Sequence, residues 1–227
     1  MIKVSHIRST HHRRANSLDQ KMITSETKFP TDRILYFSDA IFAIAITLLV
    51  LEIKIPTITE VQALGTMQVL RNLAPRFIGY LVSFVVAALF WRAHMVLGQR
   101  ITTVDNKLLW INIWLLLFVV LMPFSTAFYS NNFTINGTFN FYCLNLAAIG
   151  AILYWMNVYV AKKENLGKVL GKRTVSWMKQ RALLVPIIFL ACIPLGMISP
   201  LLGRIGFVLI FIAQALGDSY FRKGSQK

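Results

Sequence analysis

An all-α bundle of six membrane-spanning helices is the fold class that the sequence predicts, and three observations predict it. The chain of 227 residues is 56% hydrophobic with only 15% charged residues, and its mean hydropathy of +0.59 is far above that of a soluble domain. Apolar stretches of about 20 residues recur along it, the length that crosses a bilayer core at about 1.5 Å per residue. Nineteen of the 24 Lys and Arg gather in alternate connections, as they do when one side of a membrane receives the cations.

Residues 1–32 have no apolar core and read as a basic, disordered cytoplasmic tail (Lys3, Arg8, Arg13, Arg14, Lys21, Lys28), not as a signal peptide. Residues 33–219 read as one transmembrane unit, with spans at 33–55, 75–98, 106–129, 138–162, 178–198 and 200–219. Pro123, Pro186 and Pro194 fall inside spans, which is tolerated where neighbouring helices satisfy the freed carbonyls. The connection 56–74 places Val61, Leu64, Met67, Leu70 and Leu73 at three-residue spacing, and predicts a short helix on the outer surface. Residues 220–227 form a second polar tail.

The N-terminal tail with Arg33, the 99–107 and 162–181 connections and the C-terminal tail hold the nineteen cations. The opposite side holds Arg71, Arg76 and Arg204, and the connection SNNFTING at 130–137 holds none. Both termini of a multi-pass cell-membrane protein are therefore expected in the cytoplasm. The net charge of +15 lies in these loops, so it reads as topology and headgroup contact, with no nucleic-acid partner. Cys143 and Cys192 sit in apolar runs and are expected as buried free thiols. No cluster of nucleophiles or metal ligands suggests an enzyme or a cofactor, and His6, His11 and His12 lie in the tail, a poor metal site.

The first span, RILYFSDAIFAIAITLLVLEIKIP at 33–56, carries the chemistry. On a helical wheel Phe37, Ile44, Leu48, Leu51 and Ile55 fall within about 60° of Arg33, with Ala40 and Thr47 on the other flank of the same stripe. Asp39 and Ser38 point elsewhere. A carboxylate at membrane depth is costly and faces a bundle interior or water, with a partner. Asp39 stands about 9 Å along the helix from Arg33, which diverges in direction and is not that partner. Antiparallel neighbours bring Trp91 and His94 of the second span and Asn112 of the third to the same depth. Ser38, Asp39, His94 and Asn112 are thus expected to form a polar layer that locks the first span to the next two.

Arg33-Ile34-Leu35-Tyr36-Phe37-Ser38-Asp39 matches an Arg-x-x-x-Phe-Ser-Asp signature, and it continues AIFAIAITLLVLEIKIP. With Ser83-Phe84, Trp91-x-x-His94, Asp105, Asn112 and Pro123-Phe124, the chain resembles the transmembrane protein 175 family of potassium channels. The resemblance implies a single six-helix repeat of prokaryotic type, a homotetramer, and the first helix of every subunit lining a central pore. It puts the constriction at Ile44, Leu48 and Leu51 and a hydroxyl layer linked to cation preference at Thr47. It makes Arg33, Phe37, Ser38 and Asp39 the motif that braces this helix from behind, with Trp91, His94 and Asn112 in the supporting layer. The expected activity is conduction of potassium ions across the lipid bilayer, modestly selective over sodium and without a cofactor. No TVGYG-type carbonyl filter is present, so an apolar neck takes its place. The alternatives are a proton-conducting channel and a secondary cation transporter. The transporter would call for an inverted repeat and several midplane ionisable residues, which the sequence does not display.

Overall fold

A computed structural model describes residues 29–133, 135–199 and Gly203. Their regular structure is helical: α1 (Thr31–Leu51), α2 (Ile58–Leu64), α3 (Thr66–Gly98), α4 (Asn106–Val120), α5 (Met122–Asn131), α6 (Asn136–Lys163), α7 (Leu166–Val169) and α8 (Lys172–Ile198). Five stretches are long and apolar enough to cross a membrane: α1, α3, α4 with α5, α6, and α8. Gly203 apart, the expected sixth span, 200–219, lies outside the described residues, as do 1–28 and 220–227; the end of the expected N-terminal tail, 29–32, is described, and α1 begins within it at Thr31.

The 21 residues of α1 rise about 31 Å, enough for one crossing. Its buried residues, Ser38, Phe42, Ala45 and Leu49, repeat at steps of four, three and four, one side of an α-helix. The connection that follows departs from the expected surface helix. Only Ile58–Leu64 forms a separate helix, started by a capping box in which Glu60 N–H donates to Thr57 Oγ1 and Thr57 N–H to Glu60 Oε2. The hydrogen bonds from Thr57 hold the Glu60 carboxyl below its ordinary value. Gly65, at φ +78°, then turns the chain, a left-handed conformation that costs glycine little. Met67, Leu70 and Leu73 belong to the first turns of α3, where Val69 and Leu73 are buried. The second span is accordingly longer than expected, 33 residues running through Pro75.

Leu121 divides α4 from α5, yet its N–H donates to Leu117 O and its carbonyl accepts from Ser125 N–H. The two helices therefore act as one crossing, close to the expected 106–129. Pro123 stands near the start of α5, where the lost N–H costs least. Ser125 Oγ donates to Met122 O beside it. The last described crossing also starts earlier than expected, at Lys172 in place of 178.

The most extensively packed helix pair among the described residues is α6 against α8. Gly150 makes the approach possible, because a Cβ there would meet Pro186 Cδ at 3.1 Å and Pro186 N at 3.2 Å. Cys143 and Cys192 are free and buried, as expected. Several polar ties close the end where α1 begins and α3 finishes. Phe29 N–H donates to Val104 O at 2.9 Å, and Thr102 donates from N and Oγ1 to the Glu164 carboxylate at 3.2 and 2.7 Å. Asp105 caps α4 through Leu108 N–H, accepts from Tyr159 OH, and pairs with Lys163 Nζ at 2.9 Å.

Burial alone would raise the Asp105 carboxyl, but the hydrogen bonds from Tyr159 and Lys163 outweigh it and hold the group below its ordinary value of 3.8. A carboxylate depressed in the folded state contributes stability that is fully present above the unfolded value and is lost as pH falls through the folded one. Asp105→Asn should therefore lower the melting temperature of detergent-solubilised protein at neutral pH. It should also flatten the further drop expected of the wild-type chain below about pH 4. An identical acid limb in both proteins would assign the stability to other carboxylates.

Candidate functional site

The two faces of α1 have different fates. Phe42 and Leu49 are each 1% exposed, packed inward with Ser38 and Ala45. On the other side Ile44 is 53% exposed, Leu48 38% and Leu51 74%, with Thr47 exposed among them. A strip of aliphatic side chains thus faces away from the chain's own bundle. The Thr47 hydroxyl donates to Ile44 O at 2.8 Å. That bond uses the hydroxyl proton, so Oγ1 presents lone pairs to whatever faces the strip.

Behind the strip stands a hydrogen-bonded chain. Asn112 Nδ2 donates to Ser38 Oγ at 2.8 Å, and Ser38 Oγ donates to Ile34 O at 2.8 Å. Asn112 Oδ1 lies 2.9 Å from His94 Nε2, which donates to it. The three side chains are 0–2% exposed and come from α1, α3 and α4. Beside them Trp91 Nε1 donates to Asp39 Oδ1 at 2.9 Å, a second link between α1 and α3. Phe42 rests against the His94 ring with centroids 5.7 Å apart. His94 Nδ1 is buried with no hydrogen-bond partner among the described residues.

The structure brings together Ser38, His94 and Asn112, and joins Asp39 to Trp91. It does not bring Arg33 or Phe37 into that layer; both are exposed and share the side of Ile44. Among the described residues neither is buried behind α1, because their angular position on the helix is that of the aliphatic strip.

A second buried network escaped the sequence reading. Thr126 Oγ1 donates to Ser83 Oγ at 3.0 Å, and Ser83 Oγ lies 2.8 Å from Tyr142 OH. Asn145 Nδ2 donates to Ser125 Oγ at 3.1 Å. These bonds knit α3, α5 and α6 about two turns inside the start of α6. Small hydroxyls scattered in apolar runs carry no spacing signal, so only the packed structure discloses the set. The Asp105 tie did have a signal, an Asp directly before an apolar helical run. Among the described residues no group of three or more His, Cys, Asp or Glu could hold a metal ion.

Comparisons with known proteins find similarity to one family. Residues 33–123 match the profile of the family described as endosomal/lysosomal potassium channel TMEM175. A potassium channel of Chamaesiphon minutus is 38% identical over 106 residues, 47% of this chain and 52% of that one. The crystal structure of a lysosomal potassium-selective channel TMEM175 homolog from Chamaesiphon minutus superposes with a TM-score of 0.74 at 28% identity, covering 82% of this chain and 97% of that one. The endosomal/lysosomal proton channel TMEM175 of Homo sapiens is 26% identical over 122 residues, 54% of this chain and 24% of that protein. In sequence the chain thus spans about half the length of the bacterial relative and about a quarter of the human one. The resemblance carried by Arg33 to Asp39 is borne out.

Asn112→Ala should leave Ser38 Oγ and His94 Nε2 buried without their partner, costing about 1–3 kcal/mol. Thermal unfolding in detergent measures it. A melting temperature equal to wild type would mean that water or a repacked side chain takes over both bonds.

Proposed function

We propose that this chain, a relative of the TMEM175 channels, is one subunit of a potassium channel of the cell membrane, modestly selective over sodium. Residues 33–219 form its six-helix unit, flanked by cytoplasmic tails at 1–32 and 220–227. Four copies gather about a common axis, and α1 of each lines it.

One observation carries this reading: the exposed strip of Ile44, Thr47, Leu48 and Leu51 lies opposite the buried side of α1, in a chain similar to named potassium channels. A ring of Ile44 side chains around an axis makes a narrow apolar neck. Water leaves such a neck readily, and an ion cannot follow without losing its own hydration shell, so the neck closes by drying. Leu48 and Leu51 extend it by one and two turns. A small rotation or splay of α1 widens the ring and lets water return.

Potassium holds its hydration shell less tightly than sodium, so an apolar neck favours it to a modest degree. Thr47 supplies oxygen lone pairs beside the neck, which replace part of the lost shell. Ser38 and Asp39, held by Asn112 and Trp91, keep this side of α1 turned outward. Arg33 and Phe37, exposed on the strip side, meet neighbouring subunits, so their bracing acts between copies.

Proton conduction is a second reading. It is favoured by the name of the human relative, a proton channel, and by the buried Nδ1 of His94, a basic nitrogen without a partner among the described residues.

Liposomes containing the purified protein test both readings, with potassium, sodium and proton fluxes followed separately. Potassium flux should exceed sodium flux; proton flux without potassium flux would replace the first reading by the second. Ile44→Asn should raise resting potassium flux about tenfold or more, the change brought by a barrier lowered by about 1.4 kcal/mol. An Ile44→Asn protein that assembles and stays closed would remove Ile44 from the constriction. Thr47→Ala should conserve conduction while shifting the mixed-salt reversal potential toward equal permeability. An unchanged reversal potential would free Thr47 of any part in selectivity.

A further inference from the structure

Between α1 and α3, at the end where α1 begins and α3 finishes, lies a cavity of about 580 Å³. In a chain of net charge +15 its charged side chains are Asp32 and Asp39, both acidic. The cations next to it in sequence are turned elsewhere. Arg33 belongs to the exposed strip side of α1, and Arg100 lines a separate hollow between α3, α6 and α8. Among the described residues no Lys or Arg pairs with either carboxylate.

The lining is ordered along the helices. Asp32, Leu35, Tyr36 and Asp39 stand at i, i+3, i+4 and i+7, so one face of α1 carries a carboxylate, an apolar pair, and a second carboxylate about 10 Å further along. On α3, which runs the opposite way, Gly98 is level with Leu35: a Cβ there would meet Leu35 Cδ2 at 2.9 Å. That register puts His94 level with Asp39 at the deep end, Met95 near the middle and Gln99 toward the mouth. At the deep end acceptors are in excess. Trp91 engages Oδ1 of Asp39, and a carboxylate accepts at both oxygens, so Oδ2 is open to a second donor. His94 is 1% exposed, and with Nε2 donating to Asn112 its Nδ1 carries a lone pair without a partner among the described residues.

We propose that this cavity binds a linear aliphatic diamine in its diammonium form. One ammonium donates to Asp39 Oδ2 and His94 Nδ1 at the deep end, and the other meets Asp32 at the mouth. The methylene chain between them lies along Leu35, Met95 and the ring of Tyr36. Acid, apolar stretch and acid on one face of α1 thus repeat the ligand's own order of charge, methylenes and charge. A bare metal ion fits less well, because it needs about six oxygens gathered at one point. Among the described residues no group of three or more His, Cys, Asp or Glu could hold one. The site does not depend on the channel reading, because it uses none of the strip residues Ile44, Thr47, Leu48 and Leu51.

Isothermal titration calorimetry of the full-length protein, in uncharged detergent at constant potassium chloride, is the test. The ligands are hexamethylenediamine, its mono-N-acetyl derivative, which keeps the length but loses one charge, and ethylenediamine. Hexamethylenediamine should bind about threefold to fivefold more tightly than the acetylated amine, the gain expected of one exposed ion pair. Ethylenediamine is too short to reach both carboxylates and should gain nothing over the acetylated amine. Asp32→Asn should abolish the advantage of the long diamine. Asp39→Asn should cost it most of its affinity. Met95→Trp, which fills the middle of the cavity and leaves the polar layer intact, should do the same; it is read in place of Asp39→Asn if melting temperatures show that variant to be unfolded. Overturning results are no binding to the wild-type protein, equal affinity for the long diamine and its acetylated form, or equally tight ethylenediamine. An unchanged advantage in Asp32→Asn, or unchanged affinity in the deep-end variant, would overturn the proposal as well.

Discussion

Asn112 donates to Ser38 and accepts from His94; the second contact holds Asn112 in place, and the first fixes how α1 is rotated about its own axis. In lipid the hydrophobic effect does little to orient a helix, because hydrocarbon accepts an aliphatic side chain as readily as a protein core does. Polar groups are different. A carboxamide, a hydroxyl and an imidazole buried without partners would each cost free energy that no apolar contact restores. Turning α1 by a third of a turn would break the bond from Asn112 and separate Asp39 from Trp91. The polar layer therefore decides which residues α1 buries, and by subtraction which it leaves outside.

What is left outside is mixed in a telling way. Ile44, Leu48 and Leu51 would be content in lipid, but Thr47 lies among them, and Arg33 and Phe37 extend the same side. A helix that meets copies of itself around a wet axis has uses for all of these groups, and this contrast links packing to the proposed conduction. Elsewhere the outward side chains are of another kind: Trp110, Trp114 and Leu117 on α4 and Leu184 and Ile187 on α8 present only apolar or interfacial chemistry.

Polar ties concentrate at one end of the bundle. Asp105 with Tyr159 and Lys163, and Glu164 with Thr102, lie where α3 and α6 finish and α4 and α8 begin. Interfacial depth explains the clustering. Charged groups keep part of their hydration there, so a connection can be pinned by ion pairs at a cost that the hydrocarbon centre would not allow. In the interior the corresponding task falls to neutral hydroxyls and carboxamides, as between Ser83, Thr126 and Tyr142.

Sequence alone determined the all-helical membrane class, the approximate bounds of the five crossings the structure describes, and the two-sided character of α1. All of these follow from local rules: the apolar length that spans a bilayer, and the 3.6-residue period that sorts side chains by face. It also placed Ser38, His94 and Asn112 at one depth, because depth follows from topology and rise per residue. Tertiary structure decided what depth cannot. It paired Asp39 with Trp91, left Arg33 and Phe37 outside the layer, and drew residues 66–74 into α3. Such pairings depend on the rotation and tilt of helices far apart in sequence, and those are set only when all of the buried polar groups find partners together.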